Sequence, residues 1–179
     1  MDRDPDMHLV CSTTSREPRP GEEDGIDMHF RAEAEMRERI ALQSYMTALE
    51  LFGNLYATAP EDCAEHGISI MPMAADAVPM FRALPFRSFQ LVYVLPPSYE
   101  VWHERIAGRA TNELDKRLAE ASKSLQFALD APDVIFVLND DLDIATESFI
   151  DALHEQPIDS VQQASYRELA GELLARISA

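Results

Sequence analysis

Phe89-Gln-Leu-Val-Tyr-Val-Leu95 is a run of aromatic, β-branched and aliphatic residues interrupted once, and Pro96 and Pro97 close it. A half-exposed strand alternates polar with apolar residues, whereas a continuous apolar run fits a strand covered on both faces, as in a parallel sheet flanked by helices. Val134-Ile-Phe-Val-Leu138 reads the same way. Between these strands, helical spacing runs over about residues 98–108 and 113–130, the second with Leu114, Leu118, Ala121, Leu125 and Ala128 on one stripe. Upstream, His8 to Thr13 and Ile68 to Met71 read as strands, with a helical pattern over about residues 33–50. Downstream, a C-terminal helix over about residues 160–178 starts at Asp159 or Ser160 and presents Val161, Ala164, Leu169, Leu173 and Ile177. Strands alternating with helices predict an α/β fold.

The chain has 179 residues, 46% of them apolar and six of them glycine, enough to bury one good core. A single domain over residues 1–179 is expected. Thirty-two acidic against 15 basic residues give a net charge of −17. That charge repels nucleic-acid phosphates and anionic membrane surfaces, so neither is an expected partner. A few arginines gathered at one place can still be locally positive. Cys11 and Cys63 lack CxxC spacing and fit a reduced, cytoplasmic setting. The first residues are acidic, and no apolar run approaches the ~18 residues of a membrane span. His8, His29, His66, His103 and His154 are scattered, so no metal site is expected.

Ser12-Thr-Thr-Ser-Arg16-Glu-Pro-Arg19-Pro-Gly-Glu-Glu-Asp-Gly-Ile-Asp-Met28-His-Phe begins where the first expected strand ends. Its proline, glycine and charge over Ser15 to Asp27 predict an ordered surface excursion. Two arginines three residues apart beside consecutive hydroxyls can clamp a phosphate, because guanidinium forks hold its oxygens bidentately while a hydroxyl donates to a third. A solvated loop with unpaired arginines is the other reading of the same residues.

This stretch resembles the monophosphate loop of guanylate kinases, Ser-x-Thr-Thr-Arg-x-Pro-Arg-x-Gly-Glu-x-x-Gly-x-Asp-Tyr-x-Phe. Gly53-Asn-Leu-Tyr56-Ala-Thr58 is similar to the family's Gly-Asn-x-Tyr-Gly-Ser/Thr, and Leu95-Pro-Pro-Ser98 to the strand end before the lid helix. Arg105-Ile-Ala-Gly-Arg109-Ala-Thr111 resembles the start of the lid, Arg117-Leu118 its end, and Asn139-Asp-Asp-Leu the segment near the adenine pocket. The resemblance implies a P-loop-kinase-like parallel sheet flanked by helices, with a monophosphate-binding region over about residues 11–60 and a lid over about 105–118. It further implies that Ser12, Arg16, Arg19 and Tyr56 grip the substrate phosphate and that Thr58 reaches the base. Arg105, Arg109 and Arg117 would be the catalytic lid arginines, and Asn139 would belong to the cofactor site.

The departures from the pattern matter as much. Met28 replaces the family's tyrosine, and Thr47 falls where its guanine-reading glutamate stands. Met73 and Ala75 fall at the positions of its two carboxylates, with Asp76 one residue out of phase. The lid is about three residues shorter than the pattern. The family's first strand and its Gly-x-x-x-x-Gly-Lys-Ser/Thr loop have no counterpart, and the two lysines, Lys116 and Lys123, lie in the expected helix after the lid. Loss of a central strand leaves backbone groups to be paired by a partner or a second copy of the chain.

The expectation is therefore a guanylate kinase-like protein without kinase activity as the chain stands, binding a phosphorylated small molecule or phosphoprotein. ATP and Mg would serve only if the missing loop were supplied. The alternatives are an active nucleoside monophosphate kinase whose phosphate loop lies upstream or on a partner, and a structural interaction protein without a ligand.

Overall fold

The computed structural model describes residues 4–107, 114–154 and 156–178, in two compact units, Met1–Phe86 and Arg87–Ala179. The first unit holds two sheets. Strands β1 (Met7–Leu9) and β6 (Ile68–Ile70) pair in parallel, with Met7 opposite Ile68 and Leu9 opposite Ile70. The other sheet has four strands in the order β3 (His29–Phe30), β2 (Thr13–Thr14), β5 (Asn54–Thr58), β4 (Thr47–Leu51). Here β2 and β3 are parallel, while β5 runs antiparallel to both β2 and β4. Helix α1 (Glu33–Ala41) buries Met36 against Leu55 and Ala57, with Ile40, Tyr45 and Ala48 around them. Strand alternation therefore turns Tyr56 and Thr58 to the opposite sheet face. A short helix, α2 (Val78–Arg82), completes the unit and buries Val78 and Phe81.

The second unit is built on the stretch that suggested the fold. Strands β7 (Leu91–Leu95) and β8 (Val134–Leu138) pair in parallel over five positions, from Leu91 opposite Val134 to Leu95 opposite Leu138. Around them lie α3 (Tyr99–Ala107), α4 (Leu114–Asp130), α5 (Leu142–Leu153) and α6 (Ser160–Ile177). The core joins Leu95, Val134 and Phe136 of the strands to Leu125 and Ala128 of α4 and Ala170 and Leu173 of α6. Asp159 caps α6 by accepting from the N–H groups of Val161 and Gln162, and Asp141 caps α5 through Asp143 and Ile144.

Helix α6 also ends one strand edge. The Gln163 side-chain amide accepts from the Phe136 N–H and donates to the Phe136 carbonyl, both at 2.8 Å. Arg167 reaches the carbonyls of Leu129 at 2.7 Å and Ala131 at 3.3 Å, at the C-terminal end of α4. The last turn of a helix leaves carbonyls without partners, and a cation there is well placed.

Four of the sequence expectations need correction. The pattern expected to be helical over residues 33–50 ends as helix at Ala41, and Thr47–Leu51 is strand. Gln43 takes a positive φ of 55°, which an α-helix does not tolerate, and so the chain turns there. The expected strand His8–Thr13 is two pieces, β1 and β2, belonging to different sheets. The β4–β5 hairpin and helix α5 were not anticipated. That hairpin turns through Phe52 and Gly53, with φ of 53° and 76°, the paired left-handed conformations of a two-residue turn matched to strand twist.

Candidate functional site

Strand β2 delivers the loop after Thr14 beside β5. Thr14 lies opposite Tyr56, and the Ser15 N–H donates to the Leu55 carbonyl at 3.0 Å while the Leu55 N–H donates to Ser15 Oγ at 2.9 Å. These bonds fix where Arg16 leaves the sheet. The Arg16 guanidinium then makes a two-pronged bond to Glu22, Nη1 to Oε2 at 2.7 Å and Nη2 to Oε1 at 2.8 Å. Nη1 also donates to the Glu17 carbonyl at 3.0 Å, and the group lies over the Phe30 ring at 5.4 Å. Nη2 also donates to Met28 Sδ at 3.5 Å, a weak acceptor. The Arg16 pKa is raised, first by its hydrogen bond to Glu22, with a smaller contribution from the Tyr56 phenol. Arg16 and Tyr56 are therefore brought together.

Glu22 accepts a third bond, from the Arg19 N–H at 2.7 Å. Its carboxyl is lowered to about 2, mainly by the Arg16 bond and then by the Arg19 backbone bond. The Arg19 side chain is exposed. Asp24 holds the far end of the loop, accepting from the Phe30 N–H and from Arg31 Nη1, each at 2.8 Å, and these bonds lower its pKa. As expected, Ser15 to Asp27 is an ordered excursion without helix or strand.

Ser12 and Thr58 form a second cluster. Ser12 Oγ lies 3.3 Å from Thr58 Oγ1, and both hydroxyls donate to Met71 Sδ, at 3.3 and 3.6 Å. Thr47 faces Thr58 directly across the antiparallel pair, so both side chains share a sheet face. The sequence register put Met73 and Ala75 where the resemblance called for carboxylates, but the methionine that reaches the hydroxyls is Met71. Asp76 is exposed, on a turn whose flanking residues Ala75 and Ala77 are buried. The sequence reading also missed Glu22, which organises the loop through a contact six residues away, and Met71.

In the second unit, Arg105 Nη1 donates to the Asn139 carbonyl at 3.0 Å, and the Asn139 N–H donates to the Leu95 carbonyl at 2.7 Å. These bonds tie α3 to the ends of β7 and β8. Arg117, on α4, is half-buried, and its Nε has no hydrogen-bond partner among the described residues. Arg109 lies outside the described residues. Among the described residues, no group of three His, Cys, Asp or Glu side chains is placed to hold a metal ion, and no helix is long and apolar enough to cross a membrane.

The family model described as Guanylate kinase matches residues 1–156. The chain is 32% identical over 163 residues to "Guanylate kinase" from Synechocystis sp., an alignment covering 87% of this chain and 84% of that protein. It is 30% identical over 177 residues to "Guanylate kinase" from Vibrio parahaemolyticus, covering 94% and 84% of the two. Among solved structures, guanylate kinase from Anaplasma phagocytophilum has the same fold, with a TM-score of 0.66 at 21% identity over 93% of this chain and 85% of that one.

Proposed function

We propose, from the premise that this chain belongs to the guanylate kinase family, that residues 1–179 bind a phosphate monoester at Arg16 and Tyr56 and do not themselves transfer phosphate. The observation that carries this reading is the orientation of Arg16. Glu22 holds both η nitrogens, while Nη2 is also turned to the weakly accepting Met28 sulfur and the Tyr56 phenol interacts with the same guanidinium. A phosphate oxygen is a far stronger acceptor than a thioether and would replace it. Arg19, exposed at the mouth of the loop, supplies a second cation. The absence of transfer rests on the sequence, which contains no Gly-x-x-x-x-Gly-Lys to surround the β- and γ-phosphates of ATP. Arg105, Arg117 and Asn139 keep the residue types of the lid and adenine segments, and the bond from Arg105 to the Asn139 carbonyl is structural. The ligand is a small phosphate ester or a phosphorylated side chain, met in the cytoplasm, where Cys11 and Cys63 remain thiols.

Calorimetric titration of the chain with inorganic phosphate, phosphoserine, GMP, AMP and ATP tests this. Monophosphates should bind, and Arg16→Ala should weaken them roughly 30-fold or more, the low end of the cost of truncating a hydrogen-bonded charge pair. Equal affinity in the variant would remove the clamp from the account.

A second reading has one observation in its favour. The parallel pairs β1–β6 and β7–β8 are each only two strands wide among the described residues, leaving strand edges that a further parallel strand could pair. A phosphate loop furnished from outside residues 1–179, upstream or by a partner, would then make the assembly a nucleoside monophosphate kinase using ATP and Mg. ADP formation from ATP and GMP by the purified chain alone would overturn the first reading, since no partner is then needed.

A further inference from the structure

Arg16 donates both Nη1 protons, to Glu22 and to the Glu17 carbonyl, and one Nη2 proton to Glu22. The second Nη2 proton is left to Met28 Sδ at 3.5 Å, so the weakest of the four acceptors holds the place a phosphate oxygen needs. Met28 is half-buried and follows a wholly exposed run, Glu23 to Asp27, so small solutes reach it. Other methionines are placed differently: Met7 and Met36 are buried, and the Met71 sulfur meets the hydroxyls of Ser12 and Thr58 instead of a guanidinium.

We propose that Met28 is a modification site, oxidised by hydrogen peroxide, and that its sulfoxide closes the phosphate site at Arg16. The proposal rests on Arg16 being the phosphate clamp. In the reaction a sulfur lone pair attacks one peroxide oxygen, an S–O bond forms and the O–O bond breaks. The transferred oxygen passes its proton to the departing hydroxide, which leaves as water; the sulfur is oxidised by two electrons and the peroxide is reduced. The sulfoxide oxygen is a far stronger acceptor than the thioether sulfur. One bond from that sulfur, on a side chain with three rotatable bonds, it comes within hydrogen-bond range of Nη2. Every η proton of Arg16 then has an oxygen partner within the chain, and a phosphate must displace one of them to bind. Cys11 and Cys63 are slower targets, because burial pushes both pKa values up and keeps the thiols protonated at neutral pH.

The test is titration of the purified chain with inorganic phosphate before and after brief hydrogen peroxide treatment, with dithiothreitol added afterwards to restore any oxidised thiol. Peptide mass spectrometry locates the modified methionines, and circular dichroism checks folding. Met28→Leu, which cannot be oxidised at that position, is treated in parallel, each chain being compared with its own untreated form. Met28 should gain one oxygen ahead of the buried Met36, and phosphate affinity should fall by about tenfold or more, the low end of what a hydrogen bond to a charged group contributes. A methionine sulfoxide reductase should restore it, and Met28→Leu should show no fall. Met28→Gln, which brings an amide carbonyl oxygen toward Nη2 without any oxidant, should bind phosphate about tenfold more weakly than Met28→Leu and decides the matter if peroxide unfolds the chain. Four results overturn the proposal and leave the clamp standing: Met28 unoxidised, affinity unchanged once it is oxidised, an equal fall in Met28→Leu, or Met28→Gln binding as tightly as Met28→Leu. Phosphate that fails to bind the untreated chain overturns the clamp, and this proposal with it.

Discussion

At Glu22 one carboxylate accepts from both η nitrogens of Arg16 and from the backbone of Arg19, so the geometry of both arginines depends on one charge. Because its pKa in the folded chain is about 2, against an ordinary 4.5, Glu22 contributes stability that is fully present above pH 4.5 and lost as the pH falls toward 2. A carboxyl-carbon NMR titration should find Glu22 still ionised at pH 3.5, when exposed glutamates are largely protonated. Glu22→Gln keeps the shape and removes the charge. It should weaken inorganic phosphate binding several-fold by freeing the guanidinium to rotate, and a tighter phosphate complex would instead mark Glu22 as a competitor for the fork. Arg16 and Tyr56 were legible as partners because motif spacing puts them on loop and strand positions that β-pairing aligns. Glu22 was not, since a bond between residues six apart in an irregular loop has no period to read. Met71 was not legible as a partner of Ser12 and Thr58 either, because β6 stops at Ile70 and Pro72 follows, so strand alternation does not say where its side chain goes.

Among elements, the continuous apolar strands were the easiest to read. Val134–Leu138 has the expected limits, since burial of Val134, Phe136 and Val137 requires an apolar side chain at nearly every position. The β4–β5 hairpin was hidden by helical spacing that continues beyond α1 to Leu49 and Leu51, although β-branched Thr47 and the Gly53-Asn54 pair were available as signals. Gly53 is required by its φ of 76° and not by space, as no atom lies within 4 Å of where a Cβ would be. Gly53→Val should therefore cost about 1–2 kcal/mol in chemical denaturation without steric damage. Gln163→Leu should cost about 2–4 kcal/mol, because it keeps the volume of the side chain but strands the N–H and carbonyl of buried Phe136. Leu125→Ala, at a position with no exposure, should cost about 2–5 kcal/mol through loss of apolar contact and the void it leaves.

At the scale of the molecule, a net charge of −17 over 179 residues means that every compact state works against self-repulsion. Raising salt from low to physiological concentration should increase the thermal midpoint by a few degrees, and a midpoint insensitive to salt would show that the acidic residues are locally compensated. The α/β class was legible at this scale from alternation alone, whereas the division of strands among three sheets was not, because pairing partners are distant in sequence. The amide of Gln163 is a peptide group carried on a helix, and it occupies a single rung of the β8 edge. An edge guarded by one side chain stays guarded only while α6 is docked. Any event that lifts that helix, such as proteolysis after Leu153 or truncation before Ser160, would offer a strand as apolar as Val134–Leu138 to its counterpart on another molecule. The same five residues that build the core would then template aggregation, which makes the C-terminal helix a guardian of solubility as well as a source of packing.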